Sequence, residues 1–290
     1  HGGEDFHIGV MGPVYVVKTP VIDRGQVTIV GRDGVGAGID GAPVVTTGDI
    51  DMRRHMSHMS RTGHHAAQAL AGITTDPRAQ GRPAALTLNF AAPVADGTMD
   101  VIVDPVRTNR SNQHWTVRIA QESGTVLTGT ALFAGGRETF SDTEAPLPEV
   151  PAPSDVDVTP YTMALPWMEN YVFRIVSGVP TAASESSETV MWVSQTQPRP
   201  WDHVSLAAAC DVFFPRIFAR TGAPSPAGTV TYTVYFHTSP DALAAQGENL
   251  LCRAVASRFN EGHFDQIGHV WGEDGELLAT TTQLVYFKGV

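Results

Sequence analysis

The chain carries the same ordered set of signals twice, and this repetition restricts its fold more than any other feature. In the first half a small-residue helical run, Thr62 to Ile73, precedes four strand-like runs, Ala84 to Phe90, Met99 to Val103, His114 to Ala120 and Val126 to Phe133. In the second half a helical run from His203 to Phe214 precedes four more, Gly228 to His237, Leu250 to Arg258, Phe264 to Trp271 and Leu277 to Lys288. Gly124-Thr-Val-Leu-Thr-Gly-Thr130 overlays Gly275-Glu-Leu-Leu-Ala-Thr-Thr281 at a spacing of 151 residues, and Phe90 overlays Phe236 at 146. Near-constant spacing across a helix and several strands indicates an internal duplication.

Between the copies lies Glu144-Ala-Pro-Leu-Pro-Glu-Val-Pro-Ala-Pro-Ser-Asp155, followed by Pro160. Five prolines over that span cannot sustain helix or sheet hydrogen bonding, so the segment reads as an extended connector. The expected organisation is a domain over 1–140, a linker over 141–160 and a second domain over 161–290. Each domain is expected to be an antiparallel sheet wrapped around one apolar helix, an α+β architecture in which the halves pair sheet to sheet.

Composition excludes some functions. The 290 residues hold 30 acidic and 19 basic side chains, a net charge of −11, and no basic patch that would replace counterions along nucleic acid. No run reaches the roughly 18 apolar residues a membrane-spanning helix needs. Cys210 and Cys252 match no metal or disulfide spacing, which fits a reduced compartment. The end Phe287-Lys-Gly-Val290 is not a peroxisomal tripeptide, so the cytoplasm is the expected location.

Several runs together resemble the double-hotdog acyl-CoA thioesterases of the acyl-CoA thioesterase II kind. Gly63-His-His-Ala-Ala-Gln-Ala-Leu70 resembles the family's Gly-rich start of a helix ending in Gln-Ala-Leu, and Asn89-Phe-Ala-Ala-Pro93 the strand end that follows. Leu206-Ala-Ala-Ala-Cys-Asp-Val-Phe-Phe-Pro215 is similar to its Leu-Ala-x-x-x-Asp helix. Thr229 to His237 resembles its Thr-x-Asp-His-x-x-Trp-Phe-His strand, and Leu277-Leu-Ala-Thr-Thr-Thr-Gln283 its last strand. The likeness covers roughly residues 62 to 288. It implies a double hotdog fold, an acyl-CoA substrate, a place in fatty acid metabolism, and an Asp–Thr–Gln set that orients the attacking water, here Asp211, Thr229 and Gln283. Two departures stand out: the family's Asp-His is Thr231-Tyr232 here, and residues 1 to 61 match poorly.

The residues carry their own argument. Asp211 sits in one of the most apolar stretches of the chain, and a carboxylate there must be hydrogen-bonded, neutralised or close to water. By the repeat offsets Gln283 overlays Leu132, Thr229 overlays Pro83 and Asp211 falls near Gly72, so the polar set occurs on one side only. Groups required for folding would recur in both copies; their one-sidedness favours a single reaction centre. The expected chemistry is direct hydrolysis, with Asp211 as general base and Thr229 and Gln283 fixing the water. Backbone N–H groups at the start of the first helix, at Gly63 and His64, are candidate substrate-binding donors to the thioester oxygen. Coenzyme A leaves readily as a thiol, so neither metal nor cofactor is expected.

Other signals weigh less. Gly36-Ala-Gly-Ile-Asp-Gly41 satisfies a dinucleotide fingerprint but is followed by Ala42-Pro-Val-Val, a poor helix, and reads as a Gly-rich loop. His55, His58, His64 and His65 crowd together without an acidic or cysteine partner at metal-ligand spacing. No Gly-x-Ser-x-Gly occurs, and Cys210, adjacent to Asp211 on a helix, cannot face it and reads as a core thiol. Hydration of an enoyl thioester would use a His five residues after the Asp, where this chain has Arg216. A catalytically silent acyl-CoA-binding or assembly protein on the same fold is the alternative from another class. Free sheet edges favour a homo-oligomer.

Overall fold

The computed structural model of the protein describes residues 15–19, 28–30, 61–95, 98–160 and 166–288. The Gly36–Gly41 run and His55 and His58 lie outside these residues. In chain order the first half contains β1 (Tyr15–Thr19), β2 (Thr28–Val30), α1 (Arg61–Thr74), β3 (Arg82–Phe90), β4 (Met99–Thr108), β5 (Asn112–Gln121) and β6 (Gly124–Ala134). The second contains β7 (Tyr171–Ser177), β8 (Thr189–Gln195), α2 (His203–Ala209), α3 (Arg216–Thr221), β9 (Ala227–Phe236), α4 (Pro240–Ala244), β10 (Asn249–Val255), β11 (Phe259–Asn260), β12 (His263–Gly272) and β13 (Leu277–Phe287).

Strand β5 shows how the sequence makes the sheet. Gln113, Trp115, Val117 and Ile119 are buried while His114, Thr116 and Arg118 between them are exposed, the period-two pattern of a sheet with one solvated face. Its inner face meets α1, whose Ala66, Ala69, Leu70, Ala71 and Ile73 are at most 4% exposed. The alanines let α1 lie close to the sheet and to α2, whose Leu206, Ala207 and Ala209 belong to the same core.

The two expected sheets fuse into one. The strands run in the order β2-β1-β4-β5-β6-β3-β9-β13-β12-β10-β8-β7, every pair antiparallel, and the halves join edge to edge through β3 and β9. At that seam Thr87 lies opposite Thr233, and the Thr233 hydroxyl donates to Thr87 Oγ1 at 3.1 Å. These two residues are 146 apart, the spacing read from the sequence, so the duplication axis passes between them. The result is an α+β double hotdog with both helices on one face of a continuous sheet.

The connector is extended, as its prolines dictate, but it is also docked. The Trp271 and Trp192 indoles donate to the carbonyls of Ala145 and Pro151 at 2.8 and 2.9 Å. Leu147, Val150 and Val156 pack over Val190, Trp192, Leu251 and Trp271 on the outer face of the second half. This covering explains β8, where Thr189 to Val193 are all buried: one face looks to the helices and the other to the connector. Thr159 then pairs with edge strand β7, its N–H donating to Phe173 O at 2.8 Å.

Three sequence expectations require correction. The second helix does not reach Phe214: α2 ends at Ala209 and a turn follows, while a separate short helix, α3, begins after Pro215. Proline at that point cannot continue the preceding hydrogen-bond pattern. Strand β4 passes Pro105 and runs to Thr108, because a bulge between Pro105 and Arg107 absorbs the missing N–H. Strand β10 stops at Val255, and Arg258 lies instead in the turn where its N–H and that of Ser257 bind Asp265.

Candidate functional site

Asp211 sits two residues beyond the end of α2, a helix started by a capping box in which Asp202 and Ser205 bind each other's backbone N–H. Its backbone N–H donates to Ala208 O at 3.0 Å, holding the turn closed. The side chain points across to the other half, where the Gly63 N–H donates to Oδ2 at 2.9 Å. Gly63 lies in the first turn of the 14-residue α1, whose leading amides have no partner within the helix and where the dipole favours negative charge. The first half therefore supplies an anion-binding terminus and the second half supplies the carboxylate.

Gln283 and Thr229 reach the same place from two neighbouring strands. Gln283 Nε2 donates to Asp211 Oδ1 at 2.8 Å, and Thr229 Oγ1 donates to Gln283 Oε1 at 3.1 Å. A carboxylate only accepts, so it turns the amide nitrogen of Gln283 toward itself and leaves the amide oxygen for the hydroxyl. Asp211 and Gln283 are 8% and 5% exposed, whereas Thr229 is half-buried and forms the open end of the chain of bonds.

A bulge makes this convergence possible. Thr231 opposes Leu284 and Thr229 opposes Val285, so Val230 is an extra residue in β9. Tyr232, Val234 and Phe236 face the core, and strict alternation would send Thr229 outward. The extra residue resets the alternation and brings Thr229 to the side of Gln283 and the buried Val285.

The same register sharpens the comparison between copies. Strand β3 has the matching bulge between Pro83 and Ala85, so Pro83 is the counterpart of Thr229, as the sequence offset predicts. The counterpart of Gln283 is corrected by one residue. Val126 and Leu278 are the bulged positions of β6 and β13, 152 apart rather than 151, because Glu276 adds a residue after Gly275. Gln283 thus corresponds to Ala131, not Leu132, and both are buried. Gly124 and Gly275 close the two turns with φ of 108° and 89°, a conformation glycine adopts without strain. The polar set remains one-sided.

The two proposed donors at the start of α1 fare differently. The Gly63 N–H faces Asp211, so its place here is to hold the carboxylate rather than a thioester oxygen. His64 is mostly buried, and burial, with His65 beside it, lowers its pKa to about 4. The imidazole is therefore neutral at pH 7.

Arg216 belongs to the site's support, which the sequence reading did not anticipate. It is fully buried and donates to Phe214 O, Ser187 O, Thr189 Oγ1 and Gln266 Oε1 at 3.1, 3.0, 2.8 and 3.1 Å. Its guanidinium also lies 5.7 and 5.4 Å from the ring centroids of Phe213 and Phe214. It thus ties the loop that follows Asp211 to β8 and β12. A lone charge inside Phe213-Phe-Pro-Arg-Ile-Phe218 was the signal for such a hub. Tyr232, which replaces the family's His, is wholly buried and donates to Ala207 O at 2.8 Å, anchoring α2; Thr231 Oγ1 accepts the Leu284 N–H at 3.3 Å. Cys210 and Cys252 are fully buried and burial raises both thiol pKa values, as core thiols require.

Among the described residues no group of three or more His, Cys, Asp or Glu side chains could hold a metal, and no helix is long and apolar enough to cross a membrane. No curated protein matches the sequence significantly. Among solved structures, a conserved protein of unknown function with a hot dog fold from Alicyclobacillus acidocaldarius is 45% identical, with TM-score 0.76 over 79% of this chain and 87% of that one. An acyl-CoA thioesterase II from Mycobacterium marinum shares the fold at TM-score 0.62 and 21% identity, covering 79% and 89% of the two chains. Residues 58–134 match the model of the acyl-CoA thioesterase N-terminal domain and residues 143–287 that of the C-terminal domain. With both domains present in tandem, the chain belongs to the acyl-CoA thioesterase family.

Proposed function

We propose that the protein hydrolyses acyl-CoA thioesters to free acid and coenzyme A at the Asp211–Gln283–Thr229 cluster. The observation that carries this reading is the unbroken hydrogen-bond chain from the α1 terminus through Asp211 and Gln283 to Thr229, built from residues that have no polar counterpart in the repeat. Asp211 takes a proton from water as the water oxygen bonds to the thioester carbonyl carbon. The tetrahedral intermediate collapses by breaking the C–S bond, and the departing thiolate recovers the proton. Gln283 and Thr229 hold the carboxylate and the water in line, and the α1 amides that follow Gly63, His64 first, face the developing oxyanion.

The test is release of free thiol from a panel of acyl-CoAs. The wild type is expected to turn over, with Asp211→Asn and Gln283→Ala reduced about 10²–10⁴-fold, the usual contribution of a positioned general base. Loss of an enoyl double bond without thiol release would point to hydration. Tight acyl-CoA retention without any turnover would point to a binding protein.

A further inference from the structure

A helix that continued through Asp211 would bond the Asp211 amide to Ala207 O, four residues back. The amide donates to Ala208 O at 3.0 Å instead, and Cys210, at φ −64° and ψ −7°, has already left the helical ψ of about −42°. The Ala207 carbonyl given up by this turn is buried, and the Tyr232 hydroxyl donates to it at 2.8 Å. A side chain from the sheet thus takes the place of the Asp211 N–H. Without that hydroxyl a buried carbonyl would stand unpaired, and the nearest donor able to satisfy it is the Asp211 amide itself.

Tyr232 lies opposite Gln283 in the sheet, so the two buried side chains enter the same inner face as neighbours. Gln283 holds the Asp211 carboxylate, and Tyr232 holds the helix end that carries it. Burial pushes the phenol pKa well above its usual value, so the hydroxyl keeps its proton and remains a donor. At the other end of α2 the His203 ring meets the Thr238 carbonyl at 3.2 Å, which leaves the Cys210–Asp211 turn as the place where the helix can lengthen.

The repeat supplies an internal comparison. Thr87 corresponds to Thr233 across the seam, so the counterpart of Tyr232 is Leu86, fully buried and without a donor. Around Gly72, where the offset places the counterpart of Asp211, α1 runs on to Thr74, and the Thr75 N–H still reaches Ala71 O at 3.0 Å. The helix continues where leucine stands and stops where tyrosine stands.

We propose that Tyr232 is a positioning residue: by holding the Ala207 carbonyl, its hydroxyl ends α2 short of Asp211 and aims the carboxylate at Gly63 and Gln283. For its effect on turnover the inference rests on the thioesterase reading above. It gives the replacement of the family's His by Tyr232 a role in the same site.

The experiment compares Tyr232→Phe, which removes only the oxygen, with Tyr232→4-aminophenylalanine, which restores a donor in the same place. Per folded enzyme, the Phe variant is expected to lose about 10–100-fold in kcat with KM almost unchanged, the effect of misplacing a catalytic group by about an ångström. The acid limb of its kcat profile should move to higher pH, because a carboxylate that leaves its two donors holds a proton more tightly. The amino variant is expected to recover most of the lost kcat. Lower stability with kcat per folded enzyme and the acid limb unmoved, or equal loss in both variants, would overturn the inference while leaving hydrolysis intact. Should Tyr232→Phe not fold, Tyr232→4-fluorophenylalanine, which fills the space of the hydroxyl without a donor, replaces it in the comparison. Should the wild type turn over nothing, the thioesterase reading fails, and a crystal structure of the donor-less variant decides. An Asp211 N–H bonded to Ala207 O would sustain the inference, and one still bonded to Ala208 O would overturn it.

Discussion

Asp211 draws its three properties from its neighbours. A first-turn amide of a helix in the other half supplies one hydrogen bond, a glutamine amide supplies the second, and the turn after α2 fixes its direction. The set was legible in the sequence because three residue types matched a family pattern at kept spacing while the repeat lacked them. The hydrogen bond from Gly63 to Asp211 was not legible, because a backbone N–H leaves no trace in residue identity. The histidines give a prediction at this scale. Burial is the largest influence on His64, His203, His237 and His269 and lowers all four, His64 from 6.5 to about 4. The unfolded chain therefore binds more protons than the folded one as pH falls through 6.5. The stability these neutral histidines contribute is complete above that value and is lost on the way down to the folded pKa values, by at most ~1.4 kcal/mol per pH unit for His64. NMR titration of the imidazole signals should place His64 near 4. A midpoint for it near 6.5 would show that it is not held in the buried, neutral form.

At the scale of elements, bulges and clamps decide the site. Strand existence followed from alternation, as in β5, but the bulge at Val230 did not: nothing in Thr229-Val-Thr-Tyr232 distinguishes an extra residue from a regular one. Strand β8 was missed for the opposite reason, since a strand covered on both faces shows no alternation. The extent of α2 was overestimated because apolar Val212-Phe-Phe214 continues a helix-like run that Pro215 and the Arg216 hub divert. Arg216→Met should leave the Phe214 and Ser187 carbonyls and Gln266 short of a buried donor and cost about 2–4 kcal/mol, measured by chemical denaturation. It should also lower turnover more than an equally destabilising core change such as Leu243→Ala, because the clamp holds the loop after Asp211. Equal losses of activity for equal losses of stability would remove that role.

At the scale of the whole molecule, the duplication survives as architecture while its buried polar cluster is one-sided. The seam at Thr87 and Thr233 keeps the relation between the copies, yet the carboxylate comes from one copy and the helix start that holds it from the other. Residues 141–290 alone would lose both α1 and the β3 edge, so this half should be inactive. Mixing it with residues 1–140 should restore thiol release if the halves reassemble at β3 and β9. Activity in the second half by itself would contradict a shared site. The docked connector gives a further check. Trp192→Phe and Trp271→Phe each remove an indole donor from its carbonyl and should hasten proteolysis within residues 144–156, with a cost of about 1 kcal/mol each. The most direct test of the central claim, that this one-sided cluster activates water, is a single turnover in H₂¹⁸O followed by mass spectrometry of acid and protein. Direct attack by water places one heavy oxygen in the released acid and none in the enzyme, and Asp211→Asn slows the turnover about 10²–10⁴-fold. Label in the Asp211 carboxylate, or undiminished release by that variant, would contradict it.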